Sequence, residues 1–318
     1  MSDSIAAPAG AAARSVLDRQ RLVACGLLVL ASLLWGYGNV AQKTVLLHVG
    51  PFAAVSLRTV LGFLAVLPMA LAEHGSVRAK PGPPPARGEV ASLSLVGLLF
   101  TLAVLVQQAA YASASVTNAS FLVTFDSLVA ALIGWLLFRE VPGRRLGLAI
   151  LASLCGGALM CGATGGFART TPGDLATLLS AVLFGGWVVA LKRHCTAHPG
   201  RPFRAAAAQF GFAALATAPA AIWLEAPSGA ALGAALPDLL TLGLLATGAA
   251  FTLQTVAQRH VSAPSAAILV SAEGVFGTLA AVALLGERPG PDALMGAGLV
   301  SAGLLLVLLP APRPIARA

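Results

Sequence analysis

Three ionisable side chains, Arg58, Asp126 and Glu273, lie deep inside long apolar stretches of the sequence. Placing one such group in hydrocarbon costs about 2.5 to 3.5 kcal/mol on insertion scales, so these groups usually face the interior of a helix bundle. A buried carboxyl can exchange a proton or bind a cation, and a guanidinium can pair with an anion. Asp126 and Glu273 each precede a second glutamate, Glu140 or Glu287, by 14 residues. The two carboxyls therefore occupy the same position of a duplicated sequence.

Polar and aromatic side chains accompany these groups at helical spacing. Asn118 lies eight residues before Asp126, and Ser265 lies eight residues before Glu273, so each pair shares one face of a helix. Such side chains can line a cavity for an amphipathic solute, or they can simply bond a neighbouring helix. The candidate binding residues are Trp35, Asn39, Gln42, Gln107, Tyr111, Asn118, Asp126, Trp187, Gln254, Gln258 and Glu273.

The spans that contain Arg58 and Asp126 enter the membrane from the same face. At about 1.5 Å per residue, the two side chains differ in depth by about 6 Å. We therefore expect a buried ion pair between them. The counterpart of Arg58 in the second half of the chain is Gln209, which leaves Glu273 without an obvious cation. The two carboxyls are the candidates for proton coupling: we expect Asp126 to be mostly structural and Glu273 to exchange a proton. The alternative is a Glu273 that stays neutral and hydrogen-bonded.

The elements that position these groups are membrane helices. The chain is 58% hydrophobic and 10% charged, with a mean hydropathy of +0.86, whereas soluble domains are roughly half apolar and a quarter charged. A span needs about 20 mainly apolar residues. Runs of that kind lie near residues 22–41, 52–72, 91–111, 116–138, 146–164, 173–192, 205–224, 238–257, 264–285 and 292–310.

The cations indicate the orientation, because positively charged loops stay on the cytoplasmic side. With the N-terminus inside and about ten spans, most of the 20 Lys and Arg residues fall on the cytoplasmic side. Only Arg169 and Arg288 fall clearly on the outer side. We expect a multi-pass inner-membrane protein whose N- and C-termini are both cytoplasmic.

An internal repeat divides the chain into two halves. Residues 34–36, Leu-Trp-Gly, match residues 183–185, Leu-Phe-Gly, and Gln107 matches Gln254. Each half holds about five spans, and an odd number inserts the second half upside down. The sequence therefore predicts an all-α membrane protein of about ten transmembrane helices in two inverted five-helix repeats, an arrangement that recurs in transporters. The predicted parts are a cytoplasmic N-terminal tail 1–21, a first repeat 22–164, a linker 165–172, a second repeat 173–310 and a C-terminal tail 311–318.

Several short motifs occur in a fixed order along these spans. They are Leu34-Trp35-Gly36, Arg58, Arg139-Glu140, Ala272-Glu273 and Gly286-Glu287. Together they resemble the EamA-type proteins of the drug/metabolite transporter superfamily. The resemblance implies a ten-helix bacterial inner-membrane carrier that exports amino acids, other metabolites or toxic compounds. Many members have a proline near the middle of spans four and nine, where this chain has Ser127 and Gly274, and this departure puts a helix break there in doubt.

The preferred mechanism is alternating access, in which the halves rock about a cavity lined by spans one, three, four, six, eight and nine. An exchanger of phosphorylated or nucleotide-linked sugars stays open, although it needs several cavity cations and Arg58 is nearly alone. An intramembrane enzyme is the other alternative, but the spans contain no HExxH, GxSxG or paired His and Cys arrangement, so no catalytic residue is assigned. We expect no metal, cofactor or nucleic acid. The expected partners are a small solute and the bilayer, with the chain as a monomer or homodimer.

Overall fold

The structure is a computed structural model that describes residues 7–78, 87–139, 143–160, 171–286 and 288–308. The C-terminal tail, most of the predicted linker, Glu140 and Glu287 lie outside these ranges. The described residues form helices and no strand. The first helix begins at Ala7, well before the first predicted span, because the alanine-rich start of the chain has a high helix propensity.

The described part of the first repeat contains six helices, because its fourth span is interrupted. They are α1 (Ala7–Thr44), α2 (Pro51–Arg78), α3 (Arg87–Ala110), α4 (Val116–Leu122), α5 (Asp126–Phe138) and α6 (Arg144–Met160). Among its described residues the second repeat contains seven helices, with π-helical turns at Ala221–Glu225 and Thr241–Phe251. They are α7 (Pro172–Ala197), α8 (Pro202–Ala220), α9 (Gly229–Leu240), α10 (Thr252–Ala257), α11 (Ala263–Val270), α12 (Glu273–Leu285) and α13 (Pro291–Leu308).

Eight helical runs among the described residues are long and apolar enough to cross a membrane. They are Arg19–Leu47, Pro51–Glu73, Gly88–Ala110, Pro172–Ala197, Pro202–Glu225, Gly229–Ala257, Ala263–Leu285 and Pro291–Leu308. The other two predicted spans correspond to the interrupted segment from α4 to α5 and to α6, which has 17 residues. The predicted all-α membrane fold of about ten transmembrane helices is confirmed.

Spans four and nine change their backbone geometry at their midpoints, although this chain has no proline at these points. A 3-10 turn, Val123–Phe125, separates α4 from α5, which begins at Asp126. In span nine the Ser271 hydroxyl donates to the Ile268 carbonyl at 2.7 Å, and α12 begins at Glu273. A hydroxyl bonded to a carbonyl of the preceding turn bends a helix, and a carboxylate favours a helix start. The interruption that the missing prolines put in doubt is therefore present.

The main helix contacts occur in mirrored pairs. α2 packs against α8, and α6 packs against α13, so equivalent helices of the two repeats face each other. α1 packs against α12, α10 and the Thr241–Phe251 turn, whereas its equivalent α7 packs against α5 and α3. One group of helices therefore contains α1, α10 and α12, and the other contains α3, α5 and α7. Each group mixes helices from both repeats.

Two glutamates bind the helix starts of the α2–α8 pair. Glu225, at the end of the turn after α8, accepts hydrogen bonds from the backbone N–H groups of Phe52 at 2.9 Å and Ala53 at 2.7 Å. Glu73 of α2 accepts one from the backbone N–H of Arg204 in α8 at 2.9 Å. Carboxylates satisfy the free N–H groups at a helix start. Each helix thus ends beside the start of its equivalent, so the two run antiparallel, as inverted repeats require.

The duplicated glycines of the Leu-Trp-Gly and Leu-Phe-Gly motifs mark two equivalent close helix crossings. A Cβ atom on Gly36 of α1 would lie 2.6 Å from the Phe276 Cβ of α12. A Cβ atom on Gly185 of α7 would lie 2.6 Å from the Val129 Cβ of α5. Small residues of this kind let membrane helices approach closely, and any side chain at Gly36 or Gly185 would collide with the facing helix.

Candidate substrate-binding site

A cavity, called the central cavity below, lies between the two helix groups. The predicted residues that line it are Trp35, Gln42, Arg58, Gln107, Asp126, Trp187, Gln254 and Glu273. Its further lining residues are Val123, Phe184, Val188, Phe251 and Val270. The central cavity has a solvent-accessible volume of about 30 Å³. This is room for about two water molecules. A solute larger than that does not fit unless residues that line the cavity move apart.

A chain of side-chain hydrogen bonds connects Arg58 with Glu273. The Arg58 Nη1 donates to Gln42 Oε1 at 3.2 Å, and Gln42 Nε2 donates to Asn39 Oδ1 at 2.7 Å. The Asn39 Nδ2 donates to Glu273 Oε1 at 2.7 Å. We call this chain the amide relay. It links a cation to a carboxyl through two amides, and Arg58, Asn39 and Glu273 are all buried.

The chemistry of the four groups determines the direction of the amide relay. A guanidinium can only donate hydrogen bonds, so Gln42 must present its oxygen to Arg58. Its NH₂ group then faces Asn39, which must in turn present its own oxygen. The NH₂ group of Asn39 is therefore left for Glu273 and for Ser120 Oγ, at 3.0 Å. Both amides turn their oxygen toward the cation and their NH₂ group toward the carboxyl. The charges at the two ends therefore stabilise both amide dipoles.

Asn39 is thus a direct partner of Glu273, although it does not line the central cavity. Tyr111 and Gln258 are fully buried and also lie outside the cavity lining. The Gln258 Nε2 donates to the Val188 carbonyl at 3.1 Å. The side chain of Asn118 lies outside the described part of the structure, and its predicted role stays a prediction.

The second guanidinium bond of Arg58 joins two helices. Its Nε donates to Thr247 Oγ1 at 2.9 Å, and Thr247 belongs to the π-helical turn before α10. Sequence reasoning missed Thr247 and Ser120, since neither has a polar counterpart in the other repeat. Arg58 and Asp126 both line the central cavity, and the ion pair between them stays a prediction.

The second repeat supplies two buried amides at the positions equivalent to Arg58 and Gln107. The Gln209 Oε1, at the position equivalent to Arg58, accepts from Trp187 Nε1 at 3.0 Å. The Nε2 atoms of Gln209 and Gln254 have no hydrogen-bond partner among the described residues. Gln254 lines the cavity and is buried, so its NH₂ group can donate a hydrogen bond to a carbonyl or carboxylate oxygen.

Aromatic rings form one wall of the central cavity. Phe251 lies at the centre of the wall, with its ring centroid 4.6 Å from that of Trp35 and 5.5 Å from that of Trp187. The Trp35 Nε1 is satisfied by the Ala246 carbonyl at 2.8 Å. Both indoles therefore present apolar faces to the cavity, which suits the apolar part of an amphipathic solute.

The model of the EamA-like transporter family matches this chain twice, over residues 22–162 and over residues 171–309. The chain belongs to the EamA-like transporter family. The family resemblance inferred from the sequence motifs is therefore confirmed, and so is its two-repeat architecture. This EamA-like protein is a multi-pass membrane transporter by family.

Two known proteins are similar to this chain over most of its length. An uncharacterized transporter of Archaeoglobus fulgidus is 27% identical over 282 residues, which cover 89% of this chain and 84% of the relative. A crystal structure of another protein superposes on this chain with a TM-score of 0.70 at 23% identity. The match covers 89% of this EamA-like chain and 95% of that chain. At that identity the second match establishes the fold alone.

Proposed function

We propose that this EamA-like protein is a secondary transporter that exports small amphipathic metabolites, such as amino acids, across the inner membrane by alternating access. Glu273 exchanges a proton during the cycle, and Asp126 is the second candidate for proton coupling. The observation that carries this proposal is the position of Glu273. It lies at the middle of the 23-residue span Ala263–Leu285, borders the central cavity and ends the amide relay.

The composition of the cavity supports an amphipathic solute with an amine. The carboxyls of Asp126 and Glu273 can bind a cationic group, and the free amide donors of Gln254 can bind an oxygen. The ring wall at Phe251 accommodates an apolar part. An ammonium group that binds Glu273 competes with a proton for the same carboxyl, which is the requirement for coupling the two fluxes.

The helix grouping supports alternating access. The small cavity volume corresponds to a state in which the two groups are closed on each other. The interruptions in spans four and nine, at Val123–Phe125 and Ser271, are points where a change of backbone geometry is least costly. Because each group mixes both repeats, we propose that these mixed groups move against each other, rather than the two sequence halves.

The positions of the cations support the proposed orientation, with both termini cytoplasmic. Arg19 and Arg259 line one surface groove. The Lys192 Nζ donates to the Arg259 carbonyl at 3.1 Å. Cations of spans one, six and eight thus lie at one end of the bundle, and the positive-inside rule favours a cytoplasmic location for that end.

The two alternatives from the sequence have less support. An exchanger of sugar phosphates needs several free cations. Among the described residues that line the cavity, Arg58 is the one Lys or Arg. It already donates to Gln42 and Thr247. An enzyme needs a nucleophile with a base or a metal set. Within the described ranges, no group of three or more His, Cys, Asp or Glu side chains could hold a metal ion.

Flux in proteoliposomes tests the proposal. Purified protein is reconstituted and the efflux of a panel of labelled amino acids is measured between about pH 5.5 and pH 8. We expect saturable efflux whose rate depends on pH, and loss of that pH dependence in Glu273→Gln. Asp126→Asn makes the same acid-to-amide change at the equivalent position of the first repeat, and its pH profile is compared with that of Glu273→Gln. A wild-type rate and pH profile in Glu273→Gln would remove the proton role, and conversion of the solute to a product would favour an enzyme.

A further inference from the structure

A second, larger groove lies on the surface, away from the central cavity. It is lined on one side by Arg19, Val23 and Leu27 of α1, and on the other by Arg259 and His260 after α10. The volume that water centres can occupy there is about 450 Å³, within the range of small-molecule sites. We call it the basic groove.

The polar end of the basic groove is cationic. Arg19, Arg259 and His260 are exposed, and none of the described residues that line the groove is acidic. Lys192 reinforces this charge, because its Nζ donates to the carbonyls of Gln258 at 2.9 Å and Arg259 at 3.1 Å. Partial burial, and then the charges of Arg259 and Lys192, lower the pKa of His260. The local field is positive and therefore favours an anion.

The other end of the groove is apolar. Arg19, Val23 and Leu27 follow one another at four-residue spacing, so they form one stripe on α1. Arg19 begins the first membrane span, and Val23 is 55% exposed. The stripe therefore runs from the headgroup level into the hydrocarbon, with cations at the top and an apolar wall below.

We propose that the basic groove binds an anionic phospholipid from the leaflet that surrounds the start of the first span. Its phosphate lies between Arg19 and Arg259, and one acyl chain lies along Val23 and Leu27. Free phosphate shares the headgroup chemistry but has no apolar part that could contact the apolar wall. The bound lipid joins the ends of two helices that line the central cavity, since α1 carries Gln42 and α10 carries Gln254.

Native mass spectrometry of the full-length protein in a neutral detergent tests this proposal. Phosphatidylglycerol, phosphatidylcholine and inorganic phosphate are titrated in separate arms. We expect phosphatidylglycerol to bind at least tenfold more tightly than phosphatidylcholine, because the positive field of the groove attracts a headgroup of net negative charge and repels the choline ammonium. Equal binding of the two lipids would overturn the proposal. Displacement of phosphatidylglycerol by millimolar inorganic phosphate would identify free phosphate as the ligand and would also overturn it.

Charge variants localise the site. Arg19→Gln combined with Arg259→Gln should weaken phosphatidylglycerol binding at least tenfold, since two charge-assisted contacts are lost. The control is Arg21→Gln combined with Arg193→Gln, which removes the same charge from exposed residues outside the groove. We expect a change of less than about twofold in the control. An equal loss in both double variants would mean diffuse attraction to the protein surface, not a site.

A crosslinking measurement on the unmodified protein is independent of how the variants fold. Phosphatidylglycerol with a photoreactive group on its acyl chain is reconstituted with the transporter, and the labelled peptides are identified. Labels on the segment from Val23 to Leu27 are the expected result. Labels confined to other segments, or the same labels from a phosphatidylcholine analogue, would contradict the proposal. Proton coupling at Glu273 is read separately from flux, so either proposal can fail alone.

Discussion

The hydrogen bond between Asn39 and Glu273 allows the ionisation of Glu273 to be tested through stability. Asn39→Leu removes the 2.7 Å bond to Glu273 and the bonds with Ser120 and Gln42. A hydrogen bond to an ionised group contributes about 1.5 to 3 kcal/mol, whereas one between neutral groups contributes about 1 kcal/mol. In Glu273→Gln the first bond is retained but becomes neutral. The unfolding cost of Asn39→Leu should therefore be about 1 kcal/mol smaller in the Glu273→Gln background.

The assay is equilibrium unfolding in mixed micelles for the wild type, both single variants and the double variant. The expected difference exceeds the scatter of roughly 0.3 to 0.5 kcal/mol that independent sites show. It should vanish at a pH low enough to protonate Glu273, because the wild-type bond is then neutral as well. Trp35→Phe is the control on the same helix, since the Trp35 Nε1 donates to the Ala246 carbonyl and not to Glu273. Additive costs for Asn39→Leu and Glu273→Gln at every pH would refute an ionised Glu273 and favour a permanently neutral one.

Two further predictions concern stability. Gly36→Ala should destabilise the protein by about 1 to 3 kcal/mol, since the new Cβ overlaps Phe276; Gly26→Ala, with nothing within 4 Å, is the control, and equal melting temperatures would contradict the predicted close crossing. Glu225→Gln should cost about 0.5 to 2 kcal/mol in thermal unfolding, because a neutral amide caps the start of α2 less well than a carboxylate. Asp238→Asn in α9 is its control, because it makes the same acid-to-amide change inside a helix and not at a helix start, and an equally small change in both variants would argue against the cap.

The sequence alone indicates that the protein is embedded in lipid, and it predicts the fold class and the duplication. Lipid requires long apolar helices because backbone polar groups must be satisfied within the segment, so composition and run length were sufficient to predict the spans. Asp126 and Glu273 were recognisable because charge in an apolar run is costly. The repeat placed them at equivalent positions, and the cavity contains both. The mixed helix groups were not predicted, since the sequence suggested that the two halves move as units.

Only the tertiary structure decided which side chains meet. Asn39 and Glu273 are 234 residues apart in the chain, and no local pattern specifies a contact over that distance. The partners of Arg58 likewise lie on two other helical segments, at Gln42 and Thr247. Helix spacing determines which face a residue occupies, but the neighbour opposite that face depends on how all the helices pack. The sequence therefore specified that Glu273 is buried, and the packing specified that amides connect it to a cation.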